Sequence, residues 1–126
     1  MSCNCNNQII NSTIQFVVGT TVNITLEFDE DISNFDSGKL TIRKDYNSVP
    51  ILNKTVSITD AHIVKIELDT TDTGLFTEFE RNKNSAQYIW GFDVIDSNSG
   101  VVINVFPQTG EPAPYCIVYK HVVNEE

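Results

Sequence analysis

The stretch "YIWGFDVIDSNSGVVINVF", Tyr88 to Phe106, holds two runs of aromatic and β-branched residues joined by Asp96-Ser97-Asn98-Ser99-Gly100. Such side chains suit a pleated, half-buried surface, and a Ser/Asn/Gly link between two such runs reads as a β-hairpin. Side chains alternate along a strand, so Tyr88, Trp90, Phe92 and Val94 share one face and Ile89 and Ile95 share the other. Apolar residues on both faces place this strand in the middle of a sheet.

The same alternation recurs upstream. In "GTTVNITLEF", Gly19 to Phe28, Val22, Ile24, Leu26 and Phe28 fall on one face and Thr21, Asn23, Thr25 and Glu27 on the other. Period two with a polar outer face is the pattern of a half-buried strand. A shorter run, Thr13 to Val18, precedes it. Asp29 to Gly38 is a polar connector with two apolar anchors, Ile32 and Phe35. Beyond it, "KLTIRK" points Leu40 and Ile42 inward and Lys39, Thr41 and Arg43 outward. "DYNSVP" is a turn, and Pro50 marks a sheet edge or a strand start, because proline has no amide to donate. "KTVSIT" and "HIVKIELD" follow, with Val56, Ile58, Val64, Ile66 and Leu68 facing in. Only Thr59-Asp60-Ala61 separates them, which predicts a second hairpin.

"DTTDTGLFTEF", Asp69 to Phe79, breaks the alternation. Thr70 or Thr71 is expected to cap a single helical turn that contains Asp72 and ends at Gly74. Leu75, Phe76 and Phe79 would then plug the sheet. "ERNKNSA" reads as an exposed loop, "PQTGEPAP" as a Pro/Gly turn, and "YCIVYKHVV" as the closing strand. Strands at this spacing with hairpin links predict an all-β chain. The expected fold is an antiparallel β-sandwich of immunoglobulin-like type, with about seven to nine short strands and at most one short helical turn. Residues 13–123 form one such domain, and residues 1–12 a flexible N-terminal arm.

A chain of 126 residues is the usual size of one domain and builds a core without metals or disulfides. Its net charge of −9 repels phosphates, which argues against nucleic-acid partners and anionic membrane surfaces. No basic and apolar leader and no membrane-length apolar run is present, so the protein is expected to fold in a cytoplasm. Three glycosylation sequons, at Asn11, Asn23 and Asn53, then carry no meaning. The three cysteines, Cys3, Cys5 and Cys116, make an odd number and are expected to be reduced thiols.

Candidate chemistry is sparse. Cys3 and Cys5 would need Cys116 with His62 or His121 to complete a zinc site, and the spacing is wrong for one. Cys116 and His121 lie five apart on a strand, on opposite faces, and fail as a nucleophile pair. Asp29, Glu30, Asp31 and Asp36, or Asp69 and Asp72, do not match a calcium loop and read as solvated turns. Tyr88, Trp90 and Phe92 have the look of a sugar platform, but aromatics alternating along a central strand are expected in the core. No catalytic, cofactor-binding or metal-ligating residue is assigned.

The order of elements resembles a small β-sandwich of tail and baseplate proteins from phages of Gram-positive bacteria, such as the N-terminal domain of the upper baseplate protein. "GTTVNITLEFDEDISNFDSGKLTIRK" is similar to its opening: Gly and Thr before an alternating strand, an acidic turn, a Ser-Gly connector and a Lys-Leu-x-Ile-Arg strand. "IELDTTDTGLF" is similar to its acidic, threonine-bearing turn, and Tyr88 to Val123 to its closing segment. The connector, Asp31 to Gly38, is longer than in that family, and the family's stalk does not follow. The resemblance implies a non-enzymatic virion structural protein, made in the host cytoplasm and residing in the virion. Its expected role is tail or baseplate adaptor, head decoration or fibre-attachment subunit, with no cofactor, no nucleic acid and no membrane. Its expected partners are other virion structural proteins and copies of itself, as a homo-oligomer docking by open sheet edges. The arm is expected to order only on assembly, so deleting Met1 to Asn11 should spare the fold and weaken incorporation. The alternative reading is a carbohydrate- or cell-surface-binding sandwich module, which expects solvent-exposed aromatic side chains.

Overall fold

The computed structural model describes residues 13–28, 30–79, 83–107 and 112–120. The elements follow as β1 (Ile14–Val17), β2 (Val22–Glu27), β3 (Ser37–Arg43), β4 (Pro50–Ser57), β5 (Ile63–Leu68), α1 (Thr70–Thr73), β6 (Ser85–Asp96), β7 (Val101–Phe106) and β8 (Tyr115–Tyr119). The N-terminal arm and residues 121–123 of the closing strand lie outside the described residues.

The strands form two sheets in a sandwich-like arrangement, and the fold is all-β. The larger sheet has six strands in the order β1-β8-β6-β3-β4, with β7 also paired to β6; the smaller is β2-β5. Side chains of β2 and β5 share one core with those of β3, β6 and β8. The Tyr88–Phe106 hairpin forms, with Asp96 opposite Val101 and Val94 opposite Ile103. Its first strand is central: β6 pairs with β3 along one edge, and with β8 and then β7 along the other. Tyr88, Trp90, Phe92 and Val94 are buried, while Ile89 and Ile95 on the opposite face are half-buried. The strand starts at Ser85, earlier than the aromatic run suggests, so Ser85 and Ala86 belong to the sheet rather than to a loop.

The core lies between the sheets. Leu40, Ile42, Trp90 and Phe92 meet Leu26, Val64, Ile66 and Leu68, all nearly inaccessible. The Phe28 ring sits 6.0 Å from that of Phe92. Below them Phe76 packs edge-on against Phe16 at 5.3 Å and Tyr88 at 5.1 Å. Of the expected plug, Phe76 is buried and Phe79 half-buried, but Leu75 is exposed, because the helical turn before it aims Phe76 inward.

Two pairings and one helix cap differ from the sequence expectations. β4 and β5 do not form a hairpin: β4 pairs with β3 and β5 with β2. Ile58 N–H donates to Asp36 O, whereas Ala61 O and His62 O accept from Ile32 N–H and Phe28 N–H. The short link therefore crosses from one sheet to the other. Asp60 does make the turn, accepting from His62 N–H and Ile63 N–H. Second, β1 runs parallel to β8, with Ile14 opposite Cys116, so one pair departs from an otherwise antiparallel sandwich. Third, the N-cap of α1 is Asp69, not Thr70 or Thr71. Its carboxylate accepts from Asp72 N–H at 2.9 Å, and the Asp72 carboxylate accepts from Asp69 N–H at 3.1 Å. This capping box places negative charge where the helix presents unpaired amides. Pro50 begins β4, an edge strand.

Candidate functional site

The residues singled out in the sequence are mostly committed to structure. Cys116 is fully buried on β8, and burial pushes its thiol up to about 12, so the nucleophilic thiolate is absent at neutral pH. Cys3, Cys5, Asp29 and His121 lie outside the described residues. His62 is exposed, with Nδ1 3.0 Å from Phe28 O. Asp31 accepts from Ser33 N–H at 2.8 Å, and hydrogen bonding from Ser33 holds its carboxyl below the usual range. Asp36 accepts from Ser97 N–H at 2.7 Å and Ser97 Oγ–H at 2.8 Å, which lower its carboxyl in that order. Burial pushes Asp72 up, but the Lys54 ammonium at 2.8 Å and the Asp69 amide outweigh it, and the net shift is down. Among the described residues, no three His, Cys, Asp or Glu side chains are grouped to hold a metal ion. Tyr88, Trp90 and Phe92 are core and offer no platform.

Two surface features stand apart. The first is the β7 edge, built by the opening hairpin. Its turn needs Gly100 at φ 79°, a conformation that L side chains rarely adopt, and Gly100 N–H closes it onto Asp96 O at 2.8 Å. The Asp36 carboxylate pins the turn from the β2–β3 connector, and Asp36 N–H donates to Ile95 O. A rigid hairpin thus presents Val101, Val102 and Ile103, which are 46%, 55% and 47% exposed. Val101 and Ile103 lie on the inner side of the sheet, opposite Asp96 and Val94, while Val102 lies opposite the outward Ile95. Their exposure follows from the unequal sheets: two strands do not cover the margins of six. Sequence alternation identified β7 as a strand, but nothing local reports the width of the facing sheet.

The second feature is a groove of about 220 Å³ on the outer face of the large sheet. β6 changes partner there: it pairs with β8 up to Ile89 and with β7 from Phe92, and Trp90 N–H donates to Pro114 O between them. Thr41, Arg43, Gly91, Asp93 and Asn104 line the opening, with Tyr46 at the rim. Asn104 Nδ2 donates to Asp93 Oδ1 at 2.8 Å, and Arg43 Nη1 donates to Ser48 O at 3.0 Å. The Tyr46 hydroxyl accepts from Ala113 N–H at 2.7 Å, fixing a ring that is 65% exposed. One guanidinium, one carboxylate, an amide and an aromatic face make a surface suited to a hydroxyl-rich neutral ligand.

Compared with protein-family models, curated protein sequences and solved structures, the chain matches none.

Proposed function

We propose that this chain is a structural subunit of a phage or prophage virion that works by protein–protein assembly, as a tail or baseplate adaptor or a head decoration or fibre-attachment subunit. The observation that carries this reading is the β7 edge. Three neighbouring aliphatic side chains stand in water on a strand whose far side has no partner among the described residues. An uncharged open edge invites another chain, and an assembly subunit has a use for it where a solitary protein has a liability. The turns behind the phage-protein resemblance also support it. Gly19, at φ 79°, turns β1 into β2, and Ser37 and Gly38, expected in the connector, open β3 beside the hairpin turn. The role is mechanical: a rigid sandwich holds the edge, and Asp36 locks the hairpin to the body.

Immunogold labelling tests this, using antibody against the chain and particles purified from induced cells that carry the gene. Label is expected at one defined place on the particle, at the tail tip or on the head. Particles that lack the chain, from cells that express it, would overturn the reading.

The groove favours a second reading, a saccharide-binding module, because Tyr46 offers an exposed ring beside paired polar groups. A glycan array probed with purified protein checks it. That reading expects a defined glycan signal that Tyr46→Ala removes without lowering thermal stability, and a blank array ends it.

A further inference from the structure

The described edge strands differ in how they are protected. β4 opens with Pro50 and carries Lys54, β2 ends in Glu27, and β5 holds Lys65 and Glu67. β1 has four residues. β7 has six, "VVINVF", with neither charge nor proline. Two copies of a chain with net charge −9 repel each other over most of their surfaces. Contact between copies is least opposed where an edge carries no charge at all; β1 and β7 are such edges, and β7 is the longer.

The register is also determined. A two-fold axis that joins two antiparallel edges runs perpendicular to the sheet and keeps each face on its own side, so paired residues must share parity. With the axis at Val102, Val102 meets the partner's Val102, Val101 meets the partner's Ile103, and Ile103 meets the partner's Val101. Every exposed aliphatic side chain of the strand then gains an aliphatic cross-strand neighbour. Moving the axis to Ile103 would set Val102 against the partner's Asn104, whose twin in this chain is engaged by Asp93. It would also draw in Val105, which has no opposite residue on β6 because the register shifts between Phe92 and Asp93. Such a bulge bends the edge away from a neighbour.

We propose that β7 is a copy–copy interface, in which two chains pair their β7 edges antiparallel about a two-fold axis through Val102 and continue one large sheet into the next. This deepens the assembly reading and rests on it for its purpose. The test needs only purified chain, so failure to dimerise and absence from virions are separate results. The area sets the strength. A six-residue edge is roughly 20 Å long and a sheet roughly 10 Å deep, so pairing seals on the order of a few hundred Å² per copy, against ~800 Å² in a standard interface. The free dimer is therefore weak, and many copies held together on a particle reinforce it.

Sedimentation equilibrium of the full chain, from micromolar to millimolar, is expected to show the average mass rise from one copy and level off at two. Val102→Lys sets two ammonium groups face to face on the axis. It is expected to weaken association by about tenfold or more while the thermal midpoint stays close to the parent's. A mass that stays at one copy, a mass that climbs past two, or a Val102→Lys chain that dimerises like the parent overturns the proposal. Val102→Cys, in a Cys3→Ser, Cys5→Ser background, gives a second readout. Mild oxidation is expected to yield a covalent dimer far faster than it does for Ser99→Cys in the same background, and equal rates count against the interface.

Discussion

Gly38 shows how much a single hydrogen atom carries. It lies on the inner face of β3, and a Cβ there would overlap the Phe92 ring, meeting Cζ first and coming within 3.0 Å of Cε2. Phe92 is itself fully buried, so the ring has nowhere to retreat. Gly38→Ala is therefore expected to lower stability by about 1–3 kcal/mol, read from urea unfolding midpoints. Phe92→Leu, added to Gly38→Ala, should recover part of that loss; an additive pair would mean that the two residues do not touch. Asp36 acts through charge instead. Its folded pKa lies below the unfolded one, because Ser97 N–H and then Ser97 Oγ–H bond to the carboxylate. The contribution is present above about pH 4 and is lost as pH falls through the lowered folded value. Asp31 and Asp45 are lowered too, so the parent should show a composite acid limb. Asp36→Asn is expected to flatten that limb, leaving part of it in place. Unfolding midpoints across acid and neutral pH check this, and a limb as steep as the parent's would show that Asp36 does not contribute.

β1 is short, but it ties the chain's beginning to its end. Ile14 and Phe16 point into the core, and Val18 N–H continues the ladder onto Tyr119 O. Phe16 also supports Phe76, the plug residue, so removing its ring empties space beneath both β8 and the loop after α1. Phe16→Ala is expected to cost about 3–5 kcal/mol, and the whole domain should unfold in one transition rather than fray at the terminus. Circular dichroism and tryptophan fluorescence report separately on the sheet and on Trp90; coincident curves are the expected result and separated ones contradict it. Most strands were legible in the sequence, down to the faces of β2, β3, β5 and β6, because a period of two states which side chain is buried; β4 starts at Pro50, ahead of the Lys54–Thr59 run, and buries the overlooked Leu52. Their partners were not. Alternation is blind to the neighbouring strand, so Thr59-Asp60-Ala61 looked like a hairpin link although it crosses between sheets, and nothing near Ile14 points to Cys116. The site was less legible still. The groove exists because β6 changes partner between Ile89 and Phe92, and its exposed ring, Tyr46, sits in a turn that showed no pattern.

At the scale of the whole molecule, charge and edge pull against each other. The chain carries 17 acidic residues against 8 Lys and Arg, and the turns and caps place many of those acids on the surface. Two approaching copies feel that field before their β7 strands come within hydrogen-bonding range. At low ionic strength the Debye length is about 30 Å, longer than the strand, so repulsion between the bodies opposes pairing; at 0.1 M and above it is about 10 Å or less. The edge holds no charge for salt to weaken. Adding sodium chloride, from about 0.01 M to about 0.5 M, is therefore expected to strengthen self-association several-fold, and sedimentation or light scattering at fixed protein concentration would read it. A contact built on opposite charges, such as Lys54 or Lys65 of one copy reaching acids of another, has the opposite sign and loosens as salt rises. The direction of the change thus separates an uncharged interface, as at Val101–Ile103, from one built on opposite charges, without any mutation. Val102→Lys should keep the sign of the trend while lowering affinity at every salt concentration, because salt also screens the two ammonium groups that face each other on the axis. A parent dimer that weakens in salt would place the contact among the charged edges instead.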